Sequence, residues 1–206
     1  MLTSLNFSLL EMGLLWSIFI TFQMSFALLS ERFYVKCDVR TAEKHWSFFK
    51  YPFHHPTNRK KVALMCHNKN YLVLMNGKLK GSVDPKIIRK YGKFELQTFG
   101  VGKVRIFNVR GKKFVAVDKK GRAYITRNNT LDALFVTTQK NSLFVTYHSY
   151  KHKTHTLNGS QKWYLAIKKD GRLKRPSKTH LRQRSTEFLQ RDWRKYKQQL
   201  TGSFQK

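Results

Sequence analysis

The chain has 206 residues and a formal net charge of +30, from 41 Lys and Arg against 11 Asp and Glu. This length suits one domain plus tails, and a hydrophobic share of 41% with 16 Phe and 9 Tyr is enough to build a core. So few carboxylates leave general acid–base catalysis without candidates, which argues against an enzyme. The charge attracts polyanions, so nucleic acid, sulfated polysaccharide and anionic membrane all stay open as partners.

The first 30 residues contain no Lys or Arg, and 12–29 are largely apolar. A small-x-small step at 25–27 precedes the next charged residues, as in a secretory cleavage site. We therefore expect a signal peptide over 1–30, cut near 27–30, and no stable membrane insertion after its removal. An uncleaved membrane anchor and a buried core segment are the alternatives. A secreted polybasic chain meets sulfated glycans before it meets nucleic acid.

The next segment, 31–59, lacks strand periodicity and contains Pro52 and Pro56, so we expect an irregular N-terminal extension. The chain has two cysteines, Cys37 and Cys66, which are too few for a disulfide framework. A bridge between them is one interpretation. A buried thiol at Cys66, in an apolar sequence setting, is the other.

From residue 60 onward, an apolar strand, a turn with Gly and a second strand recur three times. The three glycines, Gly77, Gly121 and Gly171, lie 44 and then 50 residues apart. Self-similarity at such a period indicates a repeat architecture, and Gly supplies the positive φ of a hairpin turn. Further short strands lie between the hairpins at near-regular spacing. Three copies of about four strands predict an all-β fold, a closed β-trefoil barrel, over 60–190.

The sharpest local feature of the sequence is the segment 168–184, where eight cations are opposed by a single acid, Asp170. The cations are Lys168, Lys169, Arg172, Lys174, Arg175, Lys178, Arg182 and Arg184. The other two copies lack this density, so the barrel alone does not explain it. Lys and Arg spaced by small or turn residues can meet several sulfates, which predicts a heparan sulfate site. A solvated charge run that serves solubility is the alternative.

Several other features receive a simpler interpretation. Glycosylation sequons at Asn128 and Asn158 predict exposed turns in a secreted chain. His148, His152 and His155 have a spacing compatible with a metal, but no carboxylate or Cys accompanies them, so we expect no metal site. A basic tail over 191–206 follows the last strand, and disorder is one interpretation of it.

The chain from about residue 60 to 190 resembles the fibroblast growth factors. The fragments that carry the resemblance, in family order and spacing, are Leu64-Met65-Cys66-His67-Asn68, Phe114-Val115-Ala116-Val117, Gly121-Arg122-Ala123-Tyr124, Thr146-Tyr147, Trp163-Tyr164-Leu165-Ala166-Ile167-Lys168-Lys169, Gly171-Arg172-Leu173-Lys174-Arg175, Lys178-Thr179, Gln183-Arg184 and Phe188-Leu189. The resemblance implies a secreted ligand that bridges a receptor tyrosine kinase and heparan sulfate, with no catalysis and no cofactor. It also places Asn68 and Gln183 at the edge of the sulfate site, as neutral hydrogen-bonding groups.

The resemblance also implies a receptor surface. Family position assigns Met65, Phe144 and Leu189 to an apolar patch that touches the receptor, where exposed anchors can supply much of the binding energy. Core positions are the alternative for all three. The chain departs from the family pattern at Met65 and Phe144, where Tyr is usual, at Ala133, where a second Cys is usual, and at Thr137, where many members have an acid. These departures favour a divergent receptor.

Two competing functions remain at this level. An intracellular trefoil relative would bind a cytosolic or channel partner, and the apolar leader argues against it. A basic trefoil that binds nucleic acid would place stacking aromatics beside its cations, and segment 168–184 contains none. We therefore expect a secreted growth factor that binds heparin or heparan sulfate and a receptor of this family, and no nucleic acid.

Overall fold

A computed structural model describes residues 55–140, 143–157 and 159–202, with the side chains of 200–202 left out. The predicted signal peptide, nearly all of the predicted N-terminal extension and the sequon Asn158 lie outside these ranges. Within them, no helix is long and apolar enough to cross a membrane.

The described chain forms strands in three successive groups, followed by a helix. The first group contains β1 (Asn58–Cys66), β2 (Tyr71–Met75), β3 (Lys78–Ser82), helix α1 (Pro85–Tyr91) and β4 (Phe94–Thr98). The second contains β5 (Lys103–Asn108), β6 (Lys113–Val117), β7 (Ala123–Thr126), the 3₁₀ turn Leu131–Ala133 and β8 (Leu134–Gln139). The third contains β9 (Phe144–Thr156), β10 (Gly159–Tyr164), the 3₁₀ turns Pro176–Lys178 and Arg184–Thr186, and β11 (Glu187–Asp192). Helix α2 (Trp193–Gly202) ends the described chain.

The first and last strands of each group close a barrel. β1 pairs with β4, β4 with β5, β5 with β8, β8 with β9, β9 with β11, and β11 returns to β1, always antiparallel. Closure leaves these six strands without a free edge. Three groups of strands around one closed barrel form a β-trefoil, which confirms the predicted fold.

The predicted Gly turns join the strands that lie between those of the barrel. Gly77 connects β2 to β3, Gly121 connects β6 to β7, and both have positive φ, 72° and 69°. Gly171 also has positive φ, 78°, but its hairpin retains a single bridge, Ile167 to Leu173. The third copy therefore opens into a loop, and that loop is the basic segment.

The barrel interior follows the strand period of two. On β1, Val62, Leu64 and Cys66 point into the main core and are fully buried. The buried Cys66 thiol donates to the Ser185 carbonyl oxygen over 3.4 Å, and burial raises its pKa. The alternate residues Ala63 and Met65 face outward, toward a second, smaller cluster.

The second cluster corrects the expectation for the tail. Arg191 and Asp192 belong to β11, and α2 follows at once. Trp193 and Tyr196 lie three positions apart on one helical face and are 7% and 5% exposed. The Tyr196 ring stacks on Tyr71, with centroids 5.0 Å apart. Disorder is therefore wrong for 193–202, because two aromatic side chains of this segment bury themselves on the outer face of the barrel.

Candidate functional site

The loop 168–184 leaves the barrel and returns to it at one place. The backbone N–H of Ile167, just before the loop, donates to the carbonyl of Ser185, just after it, over 3.1 Å. The Asn68 side chain donates to the Ile167 carbonyl over 2.8 Å, and the Asn70 side chain to the Lys169 carbonyl over 3.2 Å. The predicted sulfate ligand Asn68 therefore already holds the start of the loop.

A buried hydroxyl fixes the middle of the loop. Thr179 is fully buried, and its Oγ1 donates to the Pro176 carbonyl over 2.6 Å. The same oxygen accepts the backbone N–H of Tyr164 over 2.8 Å. The Gln161 side chain donates to the Thr179 carbonyl over 3.0 Å. These contacts join the loop to β10, so its cations project from an ordered backbone.

The eight predicted cations differ in how far they are already engaged. Seven are exposed, and Lys174 is half-buried, with its Nζ donating to Gln183 Oε1 over 2.7 Å. Arg172 forms a salt bridge with Asp170 over 2.7 Å. Within the described ranges, no salt bridge engages the remaining exposed lysines and arginines of the loop. No acid of the described chain neutralises their charges, and all of them except Arg175, which donates to a backbone carbonyl, are available to an external anion.

The structure adds a neighbour that the sequence reasoning missed. Arg175 donates from Nε and Nη2 to the carbonyl oxygen of Lys120, over 3.1 and 2.6 Å. A Cβ placed on Gly121 would lie 2.3 Å from the Ser177 Cβ, so only glycine allows this approach. The exposed Lys119 and Lys120 thus lie beside the loop. We call the loop 168–184 together with the turn 118–122 the basic rim.

A signal for this neighbour was present in the sequence. The second and third copies both carry two lysines near the turn glycine, followed by Arg. In the turn of the second copy, Arg122 forms a salt bridge with Asp118 over 2.9 Å. The exposed cations of the turn 118–122 without such a salt bridge are then Lys119 and Lys120. Superposing the copies would have marked both lysines as candidates.

The three predicted receptor residues come together on neighbouring strands. Met65 of β1 lies directly opposite Leu189 of β11, and Leu189 lies opposite Phe144 of β9. Directly opposed residues share a face of the sheet, and all three are half-buried. The His67 ring lies 5.2 Å from the Phe144 ring. We call Met65, Leu189 and Phe144 the apolar row; it lies on the outer face, while the adjacent Leu64 and Phe188 fill the core.

One of the three histidines has a carboxylate neighbour that lies 20 positions away in the sequence. The expectation that no carboxylate accompanies the histidines was therefore wrong. Asp132 Oδ1 lies 2.9 Å from His152 Nε2 and 3.1 Å from Lys151 Nζ, and Tyr124 donates to its Oδ2. Partial burial alone would raise the pKa of Asp132, but the bonds from His152 and Lys151 hold it below its usual value. Within the described chain, no group of three metal-ligating side chains forms.

His148 behaves differently from His152. It is 6% exposed, its Nδ1 has no hydrogen-bond partner among the residues that the structure describes, and its ring lies 5.4 Å from the Tyr164 ring. Burial, with the nearby charge of Lys162, lowers the pKa of His148 to about 4. This histidine is therefore neutral at pH 7. The sequon residue Asn128, by contrast, is exposed, as predicted for a turn.

Comparison with known proteins bears on these surfaces. Residues 60–189 match the sequence profile described as "Fibroblast growth factor", which is more than half of the chain. The chain belongs to the fibroblast growth factor family. Fibroblast growth factor 1 of Notophthalmus viridescens is 28% identical over 133 residues, which cover 64% of this chain and 95% of that protein. Fibroblast growth factor 3 of Gallus gallus is 28% identical over 145 residues, which cover 66% and 64%.

Membership confirms the resemblance seen in the sequence and agrees with the trefoil. The family consists of non-enzymatic growth factors, most of them secreted. A fibroblast growth factor 1 from Cynops pyrrhogaster shares 29% identity over 128 residues, which cover 61% of this chain and 81% of that protein. At these identities the relatives share the family of this chain.

Proposed function

We propose that this growth factor is secreted, binds heparan sulfate through the basic rim and activates a receptor tyrosine kinase of the fibroblast growth factor type. The observation that carries the proposal is the rim itself. Its cations are mostly exposed on a loop whose two ends meet at Ile167 and Ser185. An ordered array of fixed positive charges suits the repeated sulfates of a glycan chain.

The rim also favours a glycan over nucleic acid. Binding to single-stranded nucleic acid relies on aromatic rings that stack on bases, and neither 168–184 nor 118–122 contains Phe, Tyr or Trp. By analogy with other polyanions, six or more cation contacts imply a loss of roughly 10³ in affinity between 50 and 200 mM salt. Heparan sulfate would hold the factor at the cell surface. A factor that contacts heparan sulfate and the receptor together would bind the receptor with added avidity.

The receptor part of the proposal rests on the apolar row. Its three side chains are half-buried, adjacent and outward-facing. Partly exposed apolar anchors of this kind are what a receptor domain can cover. Secretion is supported by the apolar leader over 1–30 and by the exposed sequon at Asn128. The departures at Met65 and Phe144 still favour a divergent receptor.

Receptor phosphorylation in cells with and without heparan sulfate tests this function. We expect the purified secreted protein to stimulate phosphorylation, and heparan sulfate-deficient cells to respond only when heparin is added. Leu189→Ala should lower the response in both cell types, because it removes the centre of the apolar row. Thr138→Ala, at an exposed position of β8, is the matched control. Equal stimulation by wild type and Leu189→Ala, both folded, would contradict the receptor assignment.

A further inference from the structure

A second basic surface lies away from the rim. A cleft of about 570 Å³ opens between the start of β1, the residue before β4 and the start of α2. Its lining contains five cations, two acids and one indole: Arg59, Lys60, Lys61, Lys93, Arg194, Glu95, Asp192 and Trp193. This volume falls within the range of small-ligand sites, about 300–1,000 Å³.

The register of the strands explains why these charges converge. β1 lies between β4 and β11, and Val62 is opposite both Phe94 and Asp192. Lys60 and Lys61 precede Val62, and Lys93 precedes Phe94. Helix α2 begins directly after Asp192 and brings Arg194 to the same place. Three stretches of sequence, 59–61, 93–95 and 192–194, therefore meet at one end of the barrel.

Both acids of the cleft already have structural roles. Glu95 Oε1 accepts from Arg59 Nη1 over 2.9 Å and from the Gln97 side chain over 2.9 Å. Asp192 Oδ1 accepts the backbone N–H groups of Arg194 and Lys195, over 2.9 and 3.3 Å, which caps α2. These backbone bonds, with the charges of Arg194 and Lys60 nearby, hold the pKa of Asp192 below its usual value.

The other four cations of the cleft differ from Arg59 in having no salt-bridge partner within the described ranges. Lys60, Lys61 and Arg194 are exposed and Lys93 is half-buried. No salt bridge in the described part of the chain engages any of these four. Like charges that converge in a concave surface repel one another and focus a positive field, which an entering anion relieves.

We propose that this cleft is a second binding site for the sulfate groups of a glycan, separate from the basic rim. The rim adjoins the Cys66 end of β1, and the cleft adjoins the opposite end. From Lys61 to Cys66 the strand extends about 17 Å, at about 3.4 Å per residue. One factor can then hold two sulfated chains, or two parts of one chain. This inference rests on the proposed function, because it takes the same class of ligand.

The cleft lining favours a sulfated sugar over nucleic acid. Trp193 is only 7% exposed, so its ring is not available to stack on a base. Glu95 and Asp192 can accept hydrogen bonds from sugar hydroxyl groups. The exposed lysines around them can meet separate sulfates.

Calorimetric titration of the full chain with a short heparin fragment tests the second site. One variant carries K60Q, K61Q and K93Q in the cleft, and another carries K168Q, K174Q and K178Q in the rim. A control variant carries K78Q, K86Q and K153Q, three exposed lysines outside both surfaces. We expect two fragments per wild-type or control chain and one per chain of either site variant. The cleft variant should also lower the slope of log affinity against log salt for long heparin by about two to three.

The outcomes separate the two proposals. If the cleft variant matches the control while the rim variant loses all binding, the cleft proposal is overturned and the proposed function stands. If the rim variant matches the control and the cleft variant loses binding, the rim assignment fails and the cleft stands. Equal binding of desulfated heparin, or displacement of heparin from the rim variant by DNA at matched salt, would also overturn the cleft proposal. Should the triple cleft variant not fold, K61Q with R194Q replaces it.

Discussion

The turns of the second and third copies have similar sequences but different structures. In the second copy, β6 and β7 form a regular hairpin, and Arg122 is paired with Asp118. In the third, a single bridge remains and the chain extends into a long loop held by Thr179. The barrel needs the hairpin only as a connection between strands. We therefore expect the binding function to lie in the copy that departs from the repeat, with the regular copy supporting it through Lys120 and Gly121.

Replacement of Gly121 by Ala should have the largest effect on this arrangement. The φ of Gly121 is 69°, so Ala there carries a backbone penalty of about 1–2 kcal/mol. The new Cβ would also lie 2.3 Å from the Ser177 Cβ, and this overlap costs about 1–3 kcal/mol more. Gly77→Ala is the matched control, because its φ is 72° but no atom of the described chain lies within 4 Å of the new Cβ. Chemical denaturation should show a clearly greater loss of unfolding free energy for Gly121→Ala. Equal losses would mean that the two turns do not press together.

Removal of the Thr179 hydroxyl should loosen the third copy alone. Thr179→Val keeps the volume but leaves the buried Tyr164 N–H and Pro176 carbonyl without this partner, at a cost of about 1–3 kcal/mol in unfolding free energy. Heparin elution should move to lower salt as well, because the loop loses its order. Thr138→Val, at an exposed position on β8, controls for the loss of a hydroxyl. An unchanged elution position for a destabilised Thr179→Val would separate loop order from binding.

The third copy should also respond to acid through His148, which packs on Tyr164. The pKa of His148 is lowered from 6.5 to about 4 in the folded protein, by burial. Between pH 6.5 and pH 4 the unfolded chain is protonated at this histidine, whereas the folded chain is not. The free energy of unfolding therefore decreases as pH falls through this range. His148→Phe should flatten the dependence of the melting temperature on pH across this window. An exposed histidine, His155, supplies the control substitution, and equal pH dependence in both variants would contradict the assignment.

Exchange of Arg175 for Lys should have the smallest effect. The charge stays, but the two bonds to the Lys120 carbonyl cannot both be made by an ammonium group. Because Arg175 is exposed, we expect a stability change below about 1 kcal/mol and a decrease of a few-fold in heparin affinity. Arg182→Lys is the control, since Arg182 makes no such contact among the described residues. Identical affinities for the two variants would remove turn 118–122 from the rim.

Features encoded locally were predictable from the sequence. The glycines at 77, 121 and 171 predicted the hairpin turns, and the repeat they define predicted the trefoil. The cations of 168–184 were visible as a run. These signals need only the neighbouring residues, because turn conformation and charge density are set within a few positions.

Features that depend on distant pairing were not predictable in this way. Arg175 meets Lys120 across 55 positions, and His152 meets Asp132 across 20. Helix α2 was missed because its basic composition outweighed the spacing of Trp193 and Tyr196, which becomes meaningful only against Tyr71. The cleft was missed for the same reason, since three separate stretches line it.

The elution of the folded rim variant K168Q, K174Q and K178Q from immobilised heparin tests the central claim most directly. The account predicts elution at markedly lower salt than wild type, while the control K78Q, K86Q and K153Q, with the same net charge, elutes close to wild type. Equal shifts for the two variants would show that heparin senses net charge rather than the basic rim, and would contradict the account.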